Sequence, residues 1–241
     1  MRIEKDCWLI SRPIAHRGLW GNGIIENSLS AYHNAIIKGY PIEIDVYMSI
    51  DGELYSFHDL NLSRMTGKNA DITSLSSQEI DKLRLSSDEK IPRLKEVLSV
   101  VGGKVPLLIG LKNQLNGDVL VKNTLKLLKE YRGEYAIQSF NPLYLKTVKK
   151  EMPNALIGIL STCDKKELKK EKFLTRLIVK NMALNFLIKP DFISYYYKGL
   201  PLKKRKTKNK KVIAWTITDE KTANAVAPYS DNIIFENFLP K

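Results

Sequence analysis

Short apolar runs alternate with longer stretches of helical spacing along the whole chain. The first run, residues 14–16, follows Pro13. Over residues 27–38, Leu29, Tyr32, Ala35 and Ile36 recur at helical spacing, with Asn27 or Ser28 as the N-cap and Gly39 as the stop. Residues 42–47 read as a strand, and Asp51-Gly52 as a hairpin turn into a second strand at 54–57. Residues 60–73 read as loop, 76–85 and 94–101 as short helices, and 105–111 as a buried strand. A helix over 118–131 closes at Gly133; strand 135–139, helix 142–151 and strand 156–160 follow. Residues 165–188 read as one long helix, then come strands at 192–194 and 212–217, a helix at 219–227 and a last strand at 232–235.

Strand and helix thus alternate about eight times, which argues for a parallel sheet with helical crossovers. Eight such units in 241 residues match the roughly 250 residues of a (β/α)8 barrel. The expected fold is therefore α/β, a TIM barrel, with residues 1–241 as a single domain; a doubly wound open sheet is the alternative. No internal repeat or linker interrupts the pattern.

Charge narrows the partners. The formal net charge is +13, which favours phosphate esters, acidic lipid surfaces or nucleic acid. No nucleic-acid recognition module is legible, so nucleic acid is not expected. Residues 203–211 hold seven lysines and arginines, either a solvated loop or a contact for an anionic membrane surface. Residues 165–172 are also basic and lead into Phe173, Leu174, Leu177, Ile178, Met182, Leu184, Phe186 and Leu187. That face is read as packing on the barrel, with an interfacial amphipathic helix as the variant. Cys7 and Cys163 fit neither a metal spacing nor a disulfide framework, as expected for a reducing cytoplasm. Residues 1–13 lack an apolar signal region and no long apolar stretch follows. The expected location is cytoplasmic, with peripheral membrane association as a variant.

Polar clusters sit where the predicted strands end. His16-Arg17-Gly18 ends the first, and Glu43 and Asp45 leave the same face of the second. His58-Asp59 ends the hairpin strand, and Lys112 follows the apolar run through Leu111. In a barrel, C-terminal strand ends converge on one mouth. Paired carboxylates on one strand face suit a hard cation, Mg²⁺ or Ca²⁺. Two histidines can divide general acid and base work. Arg17 offers a bidentate fork for phosphate and Lys112 a point charge. These types point to phosphodiester hydrolysis; neither a nucleophile elbow nor a P-loop is present. His33, on the first predicted helix, reads as surface.

The ordered set Ala15-His16-Arg17-Gly18, Glu26-Asn27-Ser28, Glu43-Ile44-Asp45-Val46, Asp51-Gly52 and His58-Asp59 resembles the glycerophosphodiester phosphodiesterases. The resemblance continues through residues 91–97, Gln138-Ser139-Phe140 and Ala214-Trp215-Thr216-Ile217, across essentially the whole chain. It implies a TIM barrel, a divalent metal and release of glycerol 3-phosphate from a glycerophosphodiester. It further implies that His16 and His58 are the acid–base pair and that Glu43 and Asp45 bind the metal. Arg17 and Lys112 would contact phosphate, Glu26 would support the site, and Phe140 and Trp215 would line the glycerol or alcohol side. One departure stands out. The family pattern has Glu-x-Lys on the third strand, the glutamate a metal ligand, whereas this chain reads Gly110-Leu111-Lys112. That leaves two readings beside full activity: an enzyme with weakened or altered metal use, or a phosphodiester-binding descendant without catalysis. Glu236, at the end of the last strand, is a candidate substitute ligand. A lipid-directed relative acting on lysophospholipids is a further alternative.

Overall fold

A computed structural model describes residues 3–164, 182 and 185–240. The chain divides into two compact units, Ala15–Tyr135 and a second made of Met1–Ile14 with Ala136–Lys241.

In the Ala15–Tyr135 unit, β1 (Ile14–His16) enters with Ala15 and His16 and pairs in parallel with β2 (Ile42–Met48), placing His16 opposite Glu43. β3 (Leu54–Ser56) returns antiparallel to β2 through the expected hairpin. β4 (Leu107–Leu111) pairs with β2 in parallel, with Asp45 opposite Gly110. All seven residues of β2 are buried, including its two carboxylates. A strand so enclosed is expected to be a continuous apolar run, which makes Glu43 and Asp45 conspicuous.

Local chemistry sets the helices of this unit. The helix Leu29–Lys38 starts where the Ser28 side chain accepts from the Ala31 N–H, and it ends as the Gly39 N–H turns back to Ala35 and Ile36. The helix Leu94–Val101 matches its expected span. The stretch 60–73, expected as loop, instead contains a one-turn helix, Ser63–Thr66, and a 3-10 turn, Ile72–Ser74. Leu62, Met65 and Ile72 are buried against Tyr55, Phe57, Ile80, Leu85 and Ile91, and that tertiary burial orders a segment with no periodicity of its own. The helix expected over 76–85 is only Ser77–Ile80, opened by a Ser76–Glu79 capping box. It stops at Asp81, whose carboxylate is held by Tyr55 and Arg93.

In the other unit, β5 (Tyr135–Ser139), β6 (Leu156–Ser161), β7 (Phe192–Tyr196), β8 (Lys211–Ile217) and β9 (Asn232–Phe235) each pair in parallel with the next. The helices Pro142–Glu151 and Glu220–Val226 fall where the periodicity put them. Gly158 on β6 admits the Phe192 ring, which would lie 2.1 Å from any Cβ there. The helix expected over 165–188 lies largely outside the described residues; Met182 is buried and Asn185–Ile188 forms one helical turn. The basic stretch 203–211 contains a one-turn helix, Lys204–Thr207, with Lys203, Lys204 and Arg205 exposed.

Candidate active site

The Ala15–Tyr135 unit gathers seven of the nine residues singled out in the sequence. After β1, Arg17 and Gly18 take positive φ of 58° and 84°. Gly18 is required twice over. Its φ disfavours a side chain, and a Cβ would sit 2.8 Å from Ala31 Cβ and 2.9 Å from the Ala31 carbonyl carbon. This turn aims Arg17 back across β2. Its backbone N–H donates to Glu43 Oε2 at 3.3 Å and its Nη1 to Glu26 Oε1 at 2.8 Å, while Nε lies 3.4 Å from Asp45 Oδ2. On the far side of β2, Lys112 follows β4, and its Nζ reaches Asp45 Oδ1 at 3.3 Å.

Asp45 is braced from below by residues that sequence reasoning assigned to the helix start. Asn27, read as a cap, donates from Nδ2 to Asp45 Oδ2 at 3.2 Å. The Tyr32 hydroxyl, read as an apolar helix position, donates to Asn27 Oδ1 at 2.9 Å and shares a 2.6 Å contact with Ser56 Oγ. Burial pushes the Tyr32 phenol well above its ordinary range, so it stays a hydroxyl. The signal was present in the Glu26-Asn27-Ser28 block, but helix capping explained it first.

The third cluster lies beyond β3, where the Phe57 N–H donates to the Asp45 carbonyl. The next residue, His58, has its Nδ1 2.6 Å from Asp59 Oδ1. The Asp59 carboxylate, against its burial held low by His58 and Arg64, favours the tautomer in which Nδ1–H donates to it and Nε2 is the basic nitrogen. Burial and the Lys112 charge outweigh Asp45 and Asp59 and pull His58 down to about 4, so the imidazole is neutral at neutral pH. Asp59 in turn accepts from Arg64 Nε at 2.5 Å, and Arg64 Nη2 donates to Glu26 Oε1 at 2.6 Å. Arg64 was missed in the sequence: it lies in the stretch read as loop, and no spacing marks it.

Opposite charges interleave in this cluster. Glu26, Glu43, Asp45 and Asp59 face the permanent cations Arg17, Arg64 and Lys112. Burial and the neighbouring Asp45 push the Glu43 carboxyl up, against the pull of Arg17 and Lys112. Burial works on Asp45 in the same direction, but Lys112, His58 and Arg17 more than offset it and hold that carboxyl low. Glu26 is also held low, since Arg64 and Arg17 outweigh its burial.

Gly110 bears directly on this pair. A Cβ at residue 110 would lie 3.3 Å from Glu43 Oε1, 3.7 Å from Asp45 Oδ1 and 3.2 Å from the Ile44 carbonyl oxygen. Any side chain there would therefore project onto both carboxylates. Among the described residues no group of three or more His, Cys, Asp or Glu side chains is arranged to hold a metal ion. The two buried carboxylates do fit a hard cation of the Mg²⁺ kind, which binds one or two carboxylates and completes its shell with substrate phosphate and water.

Phe140 and Trp215 belong to the other unit. Their rings meet edge to face at 5.9 Å between centroids, and Trp215 also contacts Tyr196 at 5.5 Å. His33 is exposed, as expected.

The model of the glycerophosphoryl diester phosphodiesterase family matches residues 16–237. The chain belongs to this family. A glycerophosphodiester phosphodiesterase of Caldanaerobacter subterraneus is 34% identical over 164 residues, covering 62% of this chain and 66% of that protein. The mouse (Mus musculus) protein named lysophospholipase D GDPD1 is 32% identical over 146 residues, 55% of this chain and 45% of its own. The chain thus spans less than two thirds of the length of these relatives. Among solved structures, an Oleispira antarctica phosphodiesterase in complex with the product sn-glycerol-3-phosphate superposes with a TM-score of 0.79 at 24% identity, over 95% of this chain and 93% of that one. A Thermotoga maritima glycerophosphodiester phosphodiesterase gives a TM-score of 0.69 at 22% identity, over 92% of each chain. The fold class is the (β/α)8 barrel expected from the alternation of strands and helices.

Proposed function

We propose that the chain hydrolyses glycerophosphodiesters to glycerol 3-phosphate and an alcohol. The observation that carries this reading is the convergence of Arg17, Lys112, Glu43, Asp45 and the His58–Asp59 pair within one unit of a chain of this family. The product bound to the Oleispira relative supports the substrate class.

Glu43 and Asp45 would hold a divalent cation, Mg²⁺ or Ca²⁺. When bound it would draw charge from the phosphoryl oxygens as the phosphorus is attacked. Arg17 and Lys112, already converging on Asp45, supply fixed positive charge for the same oxygens. His58, neutral and with Nδ1 tied to Asp59, is the base that takes at Nε2 a proton of the attacking water, whose oxygen joins the phosphorus. His16 is then the acid that protonates the departing alkoxide as the phosphorus–oxygen bond breaks. Glu26 holds the Arg17 guanidinium in place. Phe140 and Trp215 are assigned to the glycerol or alcohol side on the resemblance alone.

The test is release of glycerol 3-phosphate from glycerophosphocholine and glycerophosphoethanolamine with Mg²⁺, Ca²⁺ and Mn²⁺ supplied in turn. Absence of turnover with every pairing refutes hydrolysis. Gly110 favours a second reading, a phosphodiester-binding protein with weakened or lost catalysis. An inert parent whose Gly110→Glu variant gains cation-dependent turnover decides for that reading.

The exposed run Lys203, Lys204 and Arg205 supports a peripheral contact with anionic lipid, in line with the lysophospholipase D name of the mouse relative. Among the described residues no helix is long and apolar enough to cross a membrane. Co-sedimentation with phosphatidylglycerol vesicles, lost in high salt and in a K203E/K204E/R205E variant, is the expected result. Equal binding to phosphatidylcholine vesicles speaks against it.

A further inference from the structure

Arg64 is half exposed, yet it makes the shortest charged contacts in the site. Its one-turn helix, Ser63–Thr66, is pinned from both sides. Leu62 and Met65 are buried beneath it, and the Leu62 N–H donates to the Ala70 carbonyl. With the flanking residues anchored in the core, the guanidinium is turned outward onto the two carboxylates. Nε donates to Asp59 Oδ2 at 2.5 Å and Nη2 to Glu26 Oε1 at 2.6 Å. Each carboxylate carries a second partner from the proposed machinery. Asp59 Oδ1 is 2.6 Å from His58 Nδ1, and Glu26 Oε1 accepts from Arg17 Nη1 at 2.8 Å.

We infer that Arg64 is a positioning residue that locks the His58 imidazole and the Arg17 guanidinium into one rigid frame. The inference rests on the phosphodiesterase reading, since it assigns His58 the proton and Arg17 the phosphate. The reasoning is geometric. A carboxylate that accepts only a histidine proton can rotate and release it. One whose other oxygen is held by a charged, planar donor keeps the acceptor fixed toward Nδ1. Arg64 does this for Asp59 with one nitrogen, and with a second it clamps the carboxylate that sets the angle of Arg17. Lysine has three donors but all on one nitrogen, so it cannot hold the two carboxylates at the fixed separation that Nε and Nη2 set. The relative placement of base and phosphate donor, far apart in sequence, then depends on one side chain that acts through Asp59 and Glu26.

Two readouts test this. The first is ¹⁵N–¹H NMR of the imidazole in the full chain, with the His58 signal assigned by its loss in His58→Gln. Wild type should show a single Nδ1–H tautomer, and Arg64→Ala a mixture with the Nε2–H form. Arg64→Gln and Arg64→Lys serve as second variants should the alanine chain fold poorly. The second readout is kinetics with glycerophosphocholine under the cation that best supports wild-type turnover. Arg64→Ala should lose between about tenfold and a hundredfold in kcat, the scale of a misplaced catalytic group. Guanidinium added to the solution should restore part of that loss, and Arg64→Lys should fall between the two. A folded Arg64→Ala that keeps the wild-type tautomer overturns the inference whatever its activity. So does a kcat within about twofold of wild type. If wild type itself turns over no diester, the hydrolytic reading fails, but the tautomer comparison still decides the role of Arg64.

Discussion

Gly110→Glu places a third carboxylate against Glu43 and Asp45, and its consequence can be worked out from the geometry. The new Cβ starts 3.3 Å from Glu43 Oε1 and 3.7 Å from Asp45 Oδ1, so the added carboxylate cannot avoid them. The backbone contact is tighter, 3.2 Å to the Ile44 carbonyl, but needs a shift of only a few tenths of an ångström. Without a cation, one further like charge at about 4 Å costs on the order of 4 kcal/mol at an effective dielectric of about 20. Protonating the new group instead, from a normal value of about 4.3 up past pH 7, costs about as much at ~1.4 kcal/mol per unit. Arg17 and Lys112 offset part of this, leaving a net loss of about 2–4 kcal/mol. For a chain of this size that lowers the melting temperature by roughly 5–15 °C. The sign with pH follows from a carboxyl raised by folding: the deficit is small near the unfolded value and grows as pH rises. A divalent cation reverses it, by about 2.7 kcal/mol at a hundredfold excess over Kd. The assay is thermal unfolding of parent and variant in EDTA and in Mg²⁺, Ca²⁺ or Mn²⁺, at pH 5 and pH 8. The expected pattern is a variant less stable than the parent in EDTA at pH 8, and stabilised by cation more than the parent is. A variant indifferent to both EDTA and cation would refute the reasoning that residue 110 faces a cation site.

Gly18→Ala should cost about 2–5 kcal/mol, combining a left-handed backbone with overpacking against Ala31, and denaturant titration reads it directly. His16→Ala and His58→Ala should each lower kcat at least about a hundredfold with a smaller change in KM. Equal loss in KM with unchanged kcat contradicts the acid–base assignment. Asp51 accepts from Ser49 Oγ at 2.6 Å and from the Ser77 Oγ and N–H, which lowers its pKa. A depressed carboxyl stabilises above its unfolded pKa and loses that contribution as pH falls through the folded value. Asp51→Asn should therefore lie below wild type in melting temperature above about pH 5 and converge with it below about pH 3. A gap independent of pH assigns the effect to something other than the Asp51 charge.

What could be read from the sequence, and what could not, divides along a physical line. Strands such as β5 and β9 and helices such as Leu94–Val101 and Pro142–Glu151 were legible to the residue, because apolar periodicity and end signals act over a few neighbours. Glu43 and Asp45 were legible because two acids on a fully buried strand violate the pattern around them. The stretch 60–73 was not. Leu62, Met65 and Ile72 are ordered by burial against residues up to Ile91, a cause that no local window contains. The same blindness hid Arg64. Its partners Glu26 and Asp59 are 38 and 5 residues away, and only the fold makes them neighbours of one guanidinium. Gly110 is the opposite case. The sequence alone showed a residue missing from a pattern, and the register of β4 against β2 gives that absence a place, directly over the carboxylate pair. A glycine in an apolar strand is usually explained by close packing. Here the nearest side-chain atoms to a Cβ would be carboxylate oxygens, so what residue 110 controls is the charge that Glu43 and Asp45 must share, and with it how much of a shell the protein would offer the cation proposed for that pair.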